Sequence, residues 1–139
     1  MRGLGRTFWL SLLLLGSLPN IAPAAAPELG ARLSCEPTPA PGRVRCALEL
    51  AVASDLRLSW VDALVVATPE FARPLRSRVP QRKLTGKDSK AEVHLALLAS
   101  STGRGTLTVR GRAVVCPRTG TGACRPVSNA ASVELVVGR

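Results

Sequence analysis

The sequence predicts an all-β protein, an antiparallel immunoglobulin-like β-sandwich of about seven strands in a single domain. Three observations carry this expectation. Apolar and polar residues alternate with a period of two in one segment after another. Those segments are separated by breaks rich in Pro, Gly, Ser and Asp, and little of the chain shows helical periodicity. Short strands recurring at this spacing over slightly more than 100 residues suit two packed sheets.

The first residues combine Arg2 and Arg6, an apolar run from Phe8 to Leu15 and an Ala22-Pro23-Ala24 end, which reads as a cleaved secretory signal peptide over residues 1–24. The run is shorter than the roughly 20 apolar residues a membrane-spanning helix needs, and no later segment approaches that length. Residues 25–139 then form the domain. Arg32-Leu33-Ser34 before Cys35 lacks the apolar residue that a lipid-attachment box places three positions before its cysteine, so a lipoprotein is not expected.

Ala25 to Leu29 reads as a loose lead-in. Ala31, Leu33 and Cys35 then share one side of a short strand, with Arg32 and Ser34 on the other. Pro37, Pro39 and Pro41 forbid a ladder or a helix and force a turn. From Arg43 to Ala53 the alternation resumes with Val44, Cys46, Leu48, Leu50 and Val52 on one face, so Cys46 points the same way as Cys35. After the Ser54-Asp55 break, Leu56, Leu58 and Trp60 share a face before a continuous apolar run to Ala67. That pattern makes Trp60 the expected core anchor, with a bulge around Val61 to Ala63 accounting for the change of pattern.

Thr68 to Pro80 holds Pro69, Pro74 and Pro80 and reads as a crossing loop or a short edge strand such as Leu75 to Val79. Lys90 to Ala99 places Val93, Leu95 and Leu97 inward and Glu92 and His94 outward. Ser100 to Gly105 is turn chemistry. Thr106 to Val115 sets Leu107, Val109, Ala113 and Val115 against Thr106, Thr108, Arg110 and Arg112, and a last strand runs from Ser132 to Val137.

All four cysteines fall after the leader, and an even number in an exported chain implies two disulfides. The succession Cys46, Trp60, Cys116 matches the antibody-type pattern and would pair Cys46 with Cys116. Strand parity opposes this, because Cys116 continues the Thr108, Arg110, Arg112 face. The local pairing Cys35 with Cys46 and Cys116 with Cys124 is therefore favoured, and a bulge in the strand would reopen the alternative.

Removing the leader takes Arg2 and Arg6 from the 19 basic residues, leaving 17 against 9 acidic ones, a net +8. The charge concentrates in Arg73, Arg76, Arg78, Arg82, Lys83, Lys87 and Lys90, opposed within that span by Asp88 alone. Such a run either keeps an edge strand solvated or attracts an anionic envelope component. With no aromatic residue interleaved to stack a base, no nucleic-acid partner is expected.

Thr106 to Val137 is the stretch closest to chemistry: an alternating strand ends at Cys116, a Gly- and Thr-rich loop follows, and Cys124-Arg125-Pro126 opens a second strand. Over about its last 30 residues the chain resembles the periplasmic N-terminal domain of the thiol:disulfide interchange protein DsbD, an immunoglobulin-like domain with redox-active cysteines near the end of its sequence. The resemblance implies that Cys116 and Cys124 are an exchanging pair. It implies electron transfer between a thioredoxin-like or membrane thiol donor, here a separate chain, and exported disulfide proteins. Arg118 and Arg125, with Arg112 nearby, would favour the attacking thiolate by lowering its pKa. The competing reading is a non-enzymatic binding module whose two disulfides only staple strands.

Other chemistries find little support. His94 is the single histidine and sits on a polar strand face. The cysteines are separated by 10, 69 and 7 intervening residues (35 to 46, 46 to 116, 116 to 124), unlike the short paired spacings of a zinc site. Gly103-Arg104-Gly105 and Thr119-Gly120-Thr121-Gly122 precede no helix, so they are turns and not phosphate cradles. No nucleophile elbow is present, Asp62 and Glu70 make no convincing carboxylate pair, and no cofactor or metal is expected.

Overall fold

The computed structural model describes residues 21–22, 26–81 and 84–138, so nearly all of the expected leader, together with Arg82 and Lys83, lies outside the described residues. Eight strands form two four-stranded antiparallel sheets. The first sheet holds β1 (Gly30–Cys35), β2 (Gly42–Ala51), β6 (Lys90–Ala99) and β4 (Ala72–Pro74), in that order. The second holds β5 (Arg78–Pro80), β3 (Leu56–Ala67), β7 (Gly103–Pro117) and β8 (Arg125–Val137). The first order and the β3-β7-β8 part of the second correspond to the ABED and CFG sheets of an immunoglobulin-like sandwich, with β5 added at the edge beside β3. The described residues contain no helix.

The period-two pattern places the core between the sheets. Val44, Leu48 and Leu50 of β2 and Val93 and Leu97 of β6 face Leu58, Val61 and Ala63 of β3 and Leu107, Val109 and Val115 of β7, all essentially buried. Each such leucine or valine stabilises the fold by about 1.5–3 kcal/mol relative to an exposed position. The boundaries expected for Lys90–Ala99 coincide with those of β6.

Several expectations need correction. The strand count is eight, because Thr68 to Pro80 is both a crossing and an edge: three-residue β4 joins β6 in the first sheet, and three-residue β5 joins β3 in the second. The last strand begins at Arg125, not Ser132, and pairs with β7 along its whole length. Leu29 belongs to the core at 1% exposure, held where Asn129 Nδ2 donates to its carbonyl at 2.8 Å. At the opposite end of β1, Thr38 bridges Val137 in parallel and accepts the Gly138 N–H at 2.8 Å, which ties the first sheet to the second.

Trp60 is the largest correction, since it is 37% exposed and lies on the outer face of the second sheet. The β3–β7 register shifts between Leu58 and Trp60, so Ser59 is an extra residue in β3 and its hydroxyl donates to the Val114 carbonyl at 3.2 Å. A one-residue bulge reverses which face the following side chains occupy. Leu58 and Val61 therefore point inward, and Trp60 and Asp62 outward.

Candidate functional site

Both disulfides are local. Cys35 and Cys46 are direct register partners on β1 and β2 and are bonded to each other. Cys116 bonds Cys124 across the β7–β8 connection, just beyond the last ladder pair, Val115 with Arg125. The loop between them turns at Gly120, whose φ of 87° is a left-handed conformation that glycine adopts without steric cost.

Parity puts Cys116 on the outer face of β7, as expected, so the antibody-type bond to Cys46 does not form. Cys116 is nonetheless only 2% exposed, whereas Cys124 is exposed. The disulfide thus presents one of its two residues to solvent. Arg118 and Arg125 each make polar contacts with other groups. Arg118 donates from its backbone N–H to the Asp55 carbonyl at 3.0 Å and from Nε to the Leu56 carbonyl at 3.1 Å, and Arg125 pairs with Glu28. Instead, Arg57 is the register partner of Cys116, half-buried, with Nη1 donating to the Gly86 carbonyl at 3.0 Å. Sequence reasoning missed Arg57 because the cross-strand register identifies it.

A second cluster lies on the same outer face. Asp62 is the one buried charged residue among those described, and its side chain has no exposed surface. Arg112 donates from Nε to Oδ1 at 2.8 Å and from Nη2 to Oδ2, and Arg78 donates from Nε to Oδ2 at 2.6 Å. The guanidinium carbons of both arginines lie 5.9 Å from the Trp60 ring centroid, a cation–π arrangement. Asp62 is the register partner of Arg112 on β7 and of Pro80 on β5, which brings together residues 16 and 50 positions apart.

Burial pushes the Asp62 carboxyl up, but the hydrogen bonds from Arg112 and Arg78, reinforced by their charges, outweigh it and hold the group below its ordinary value. A lowered native pKa contributes stability that is complete above the unfolded value of about 4 and is lost as pH falls through the native value. Asp62→Asn should therefore cost about 1–3 kcal/mol at pH 7, with the deficit relative to wild type shrinking toward pH 2. Urea unfolding at pH 7 and pH 2 checks this, and a deficit equal at both values would show that the charge is not what stabilises.

The described residues of the basic run are divided between the two sheets. Arg73 is on β4 in the first sheet, whereas Arg78 is on β5 in the second and is engaged by Asp62. Arg76, between them, joins Arg43, Arg45, Glu36, Glu92 and His94 around a shallow concavity of about 960 Å³ on the outer side of the first sheet. Lys87 and Lys90 are exposed, with Lys90 opening β6. His94 is exposed and lies 3.1 Å from Glu92. The described residues contain no group of three or more His, Cys, Asp or Glu side chains placed to hold a metal ion.

No family model matches the chain, and no curated protein matches it.

Proposed function

We propose that this protein is an exported β-sandwich domain that carries electrons by thiol–disulfide exchange through Cys116 and Cys124. The observation that carries the proposal is the unequal exposure of the pair: an accessible Cys124 bonded to a buried Cys116 in a hairpin loop. The basic, apolar leader supports export, and two disulfides fit an oxidising compartment.

Exchange begins when the thiolate of a partner dithiol attacks Cys124 Sγ. The Cys116–Cys124 bond breaks as the mixed disulfide forms, and Cys116 departs as a thiolate that takes up a proton. The partner's second thiolate then attacks its own sulfur in the mixed disulfide, forming the partner disulfide and releasing Cys124. Two electrons and two protons have moved to the cysteine pair. In the forward direction, Cys124 thiolate attacks the disulfide of an exported acceptor and Cys116 resolves it. The donor is a separate thioredoxin-like or membrane dithiol protein.

A redox titration with alkylation and peptide mapping tests this. Cys116–Cys124 should open in the folded protein at a potential well above the roughly −300 mV below which inert structural disulfides fall. A bond that opens only on unfolding would sink the exchange reading. The concavity at Arg43, Arg45, Arg76 and His94 favours a second reading, a binding module for an anionic envelope component. Retention on an anionic matrix that weakens with added salt would support it.

A further inference from the structure

We infer that the outer face of β3, β5 and β7 beside the Cys116–Cys124 disulfide docks an acidic segment of the redox partner, one whose Asp or Glu residues flank its reacting cysteine. The inference rests on the exchange reading and names the kind of partner it requires.

The register defines this face. Cys116 lies beside Arg57, then Val114 beside Trp60, then Arg112 beside Asp62, then Arg110 beside Leu64, which in turn pairs with Arg78. Strand rise makes the distance from Cys116 to Arg110 about 20 Å, the length of roughly six extended residues. Four arginines occupy it against one acid. Because the Asp62 side chain has no exposed surface, it fixes two of those arginines without presenting its own charge to solvent. Arg78 and Arg112 remain 58% and 37% exposed along their side chains, so guanidinium N–H groups that do not bond Asp62 are available to a visitor.

Trp60, 37% exposed, adds an aromatic surface beside both. Arginines already held by a carboxylate and an indole lose less freedom on binding than mobile ones, and arginine and tryptophan are the residues most often dominant at protein interfaces. An ion cluster serving only to hold β5 would not need this ring at the surface. Adjacency decides the occupant: a partner whose thiol reaches Cys124 must lie over or beside this face, and positive charge there selects acidic flanks.

Three peptides carrying the same Cys-x-x-Cys dithiol, flanked by Glu, by Gln or by Lys, test the idea on the purified protein. Rates of Cys116–Cys124 reduction are compared per thiolate, because flanking acids raise thiol pKa. At low ionic strength the Glu peptide should react about tenfold faster than the Gln peptide and the Lys peptide slowest, with the gap closing near about 0.5 M salt. In Arg78→Gln the Glu-to-Gln rate ratio should fall about threefold. Arg110→Gln, an exposed position away from Asp62, should lower the same ratio without disturbing the ion cluster. Equal rates for the three peptides, or fastest reduction by the Lys peptide, would overturn the docking surface.

Dithiothreitol, which is uncharged, separates the two readings. If it opens the bond in the folded protein while peptide charge has no effect, exchange stands and acidic docking falls. If it cannot open the bond without unfolding, exchange falls, and docking is decided by a labelled Glu peptide with serines in place of cysteines. Salt-sensitive binding of that peptide supports the surface, and its failure to bind overturns it.

Discussion

Gly111→Val should destabilise the protein by about 3 kcal/mol, seen as a fall of roughly 10 °C in Tm. Gly111 faces inward on β7, and a Cβ there would collide with Leu50 Cδ2 while approaching Leu50 Cδ1 to 3.1 Å and Leu48 Cδ2 to 3.3 Å. Leu50 is 1% exposed and Leu48 is fully buried, so neither can swing into solvent to make room. The glycine backbone itself is ordinary extended strand, so the cost is one of volume. Leu50→Ala alone should cost about 2–5 kcal/mol by leaving a cavity. Together the two substitutions should cost about 1–2 kcal/mol less than their sum, because valine at 111 occupies space vacated at 50. Strict additivity in thermal and urea unfolding would show that the two positions do not share that space.

This close approach illustrates what the sequence conveys and what it withholds. Alternation identified β6 to the residue, and in β2 and β7 it identified the buried faces, because each has one wet side and one dry side. Parity also separated Cys116 from Cys46, which was enough to favour local disulfides. The same parity argument failed for Trp60. One extra residue at Ser59 reversed the face, and no local signal distinguishes that bulge from the one expected two residues later. The Asp62 cluster was invisible for a different reason: its partners come from a three-residue edge strand and from β7, and only the register joins them. The first half of β8 was missed because Val127 to Ala131 alternates weakly on an edge strand whose small side chains are all at least partly exposed. The candidate disulfide was thus legible, whereas the arginine and tryptophan face beside it was not.

Single-cysteine variants should separate an exchanging pair from a strand clip more sharply than any stability measurement. Cys116→Ser leaves a thiol at Cys124, which is exposed in the disulfide-bonded protein, and Cys124→Ser leaves one at Cys116, which is buried there. Access controls thiol reactivity as much as thiolate fraction does, so the first variant should form mixed disulfides with an oxidised CxxC peptide at least about tenfold faster than the second. Equal trapping by the two variants would remove the assignment of Cys124 as the attacked sulfur. Loops of 8 and 11 residues carry similar closure entropies, so Cys116→Ser with Cys124→Ser and Cys35→Ser with Cys46→Ser should each cost about 2–3 kcal/mol. Stability alone therefore cannot tell the two bonds apart. Electron transfer should, being abolished by the first pair of substitutions and retained after the second. Loss in both would mean that folding, not the sulfur chemistry at Cys124, was what the assay measured.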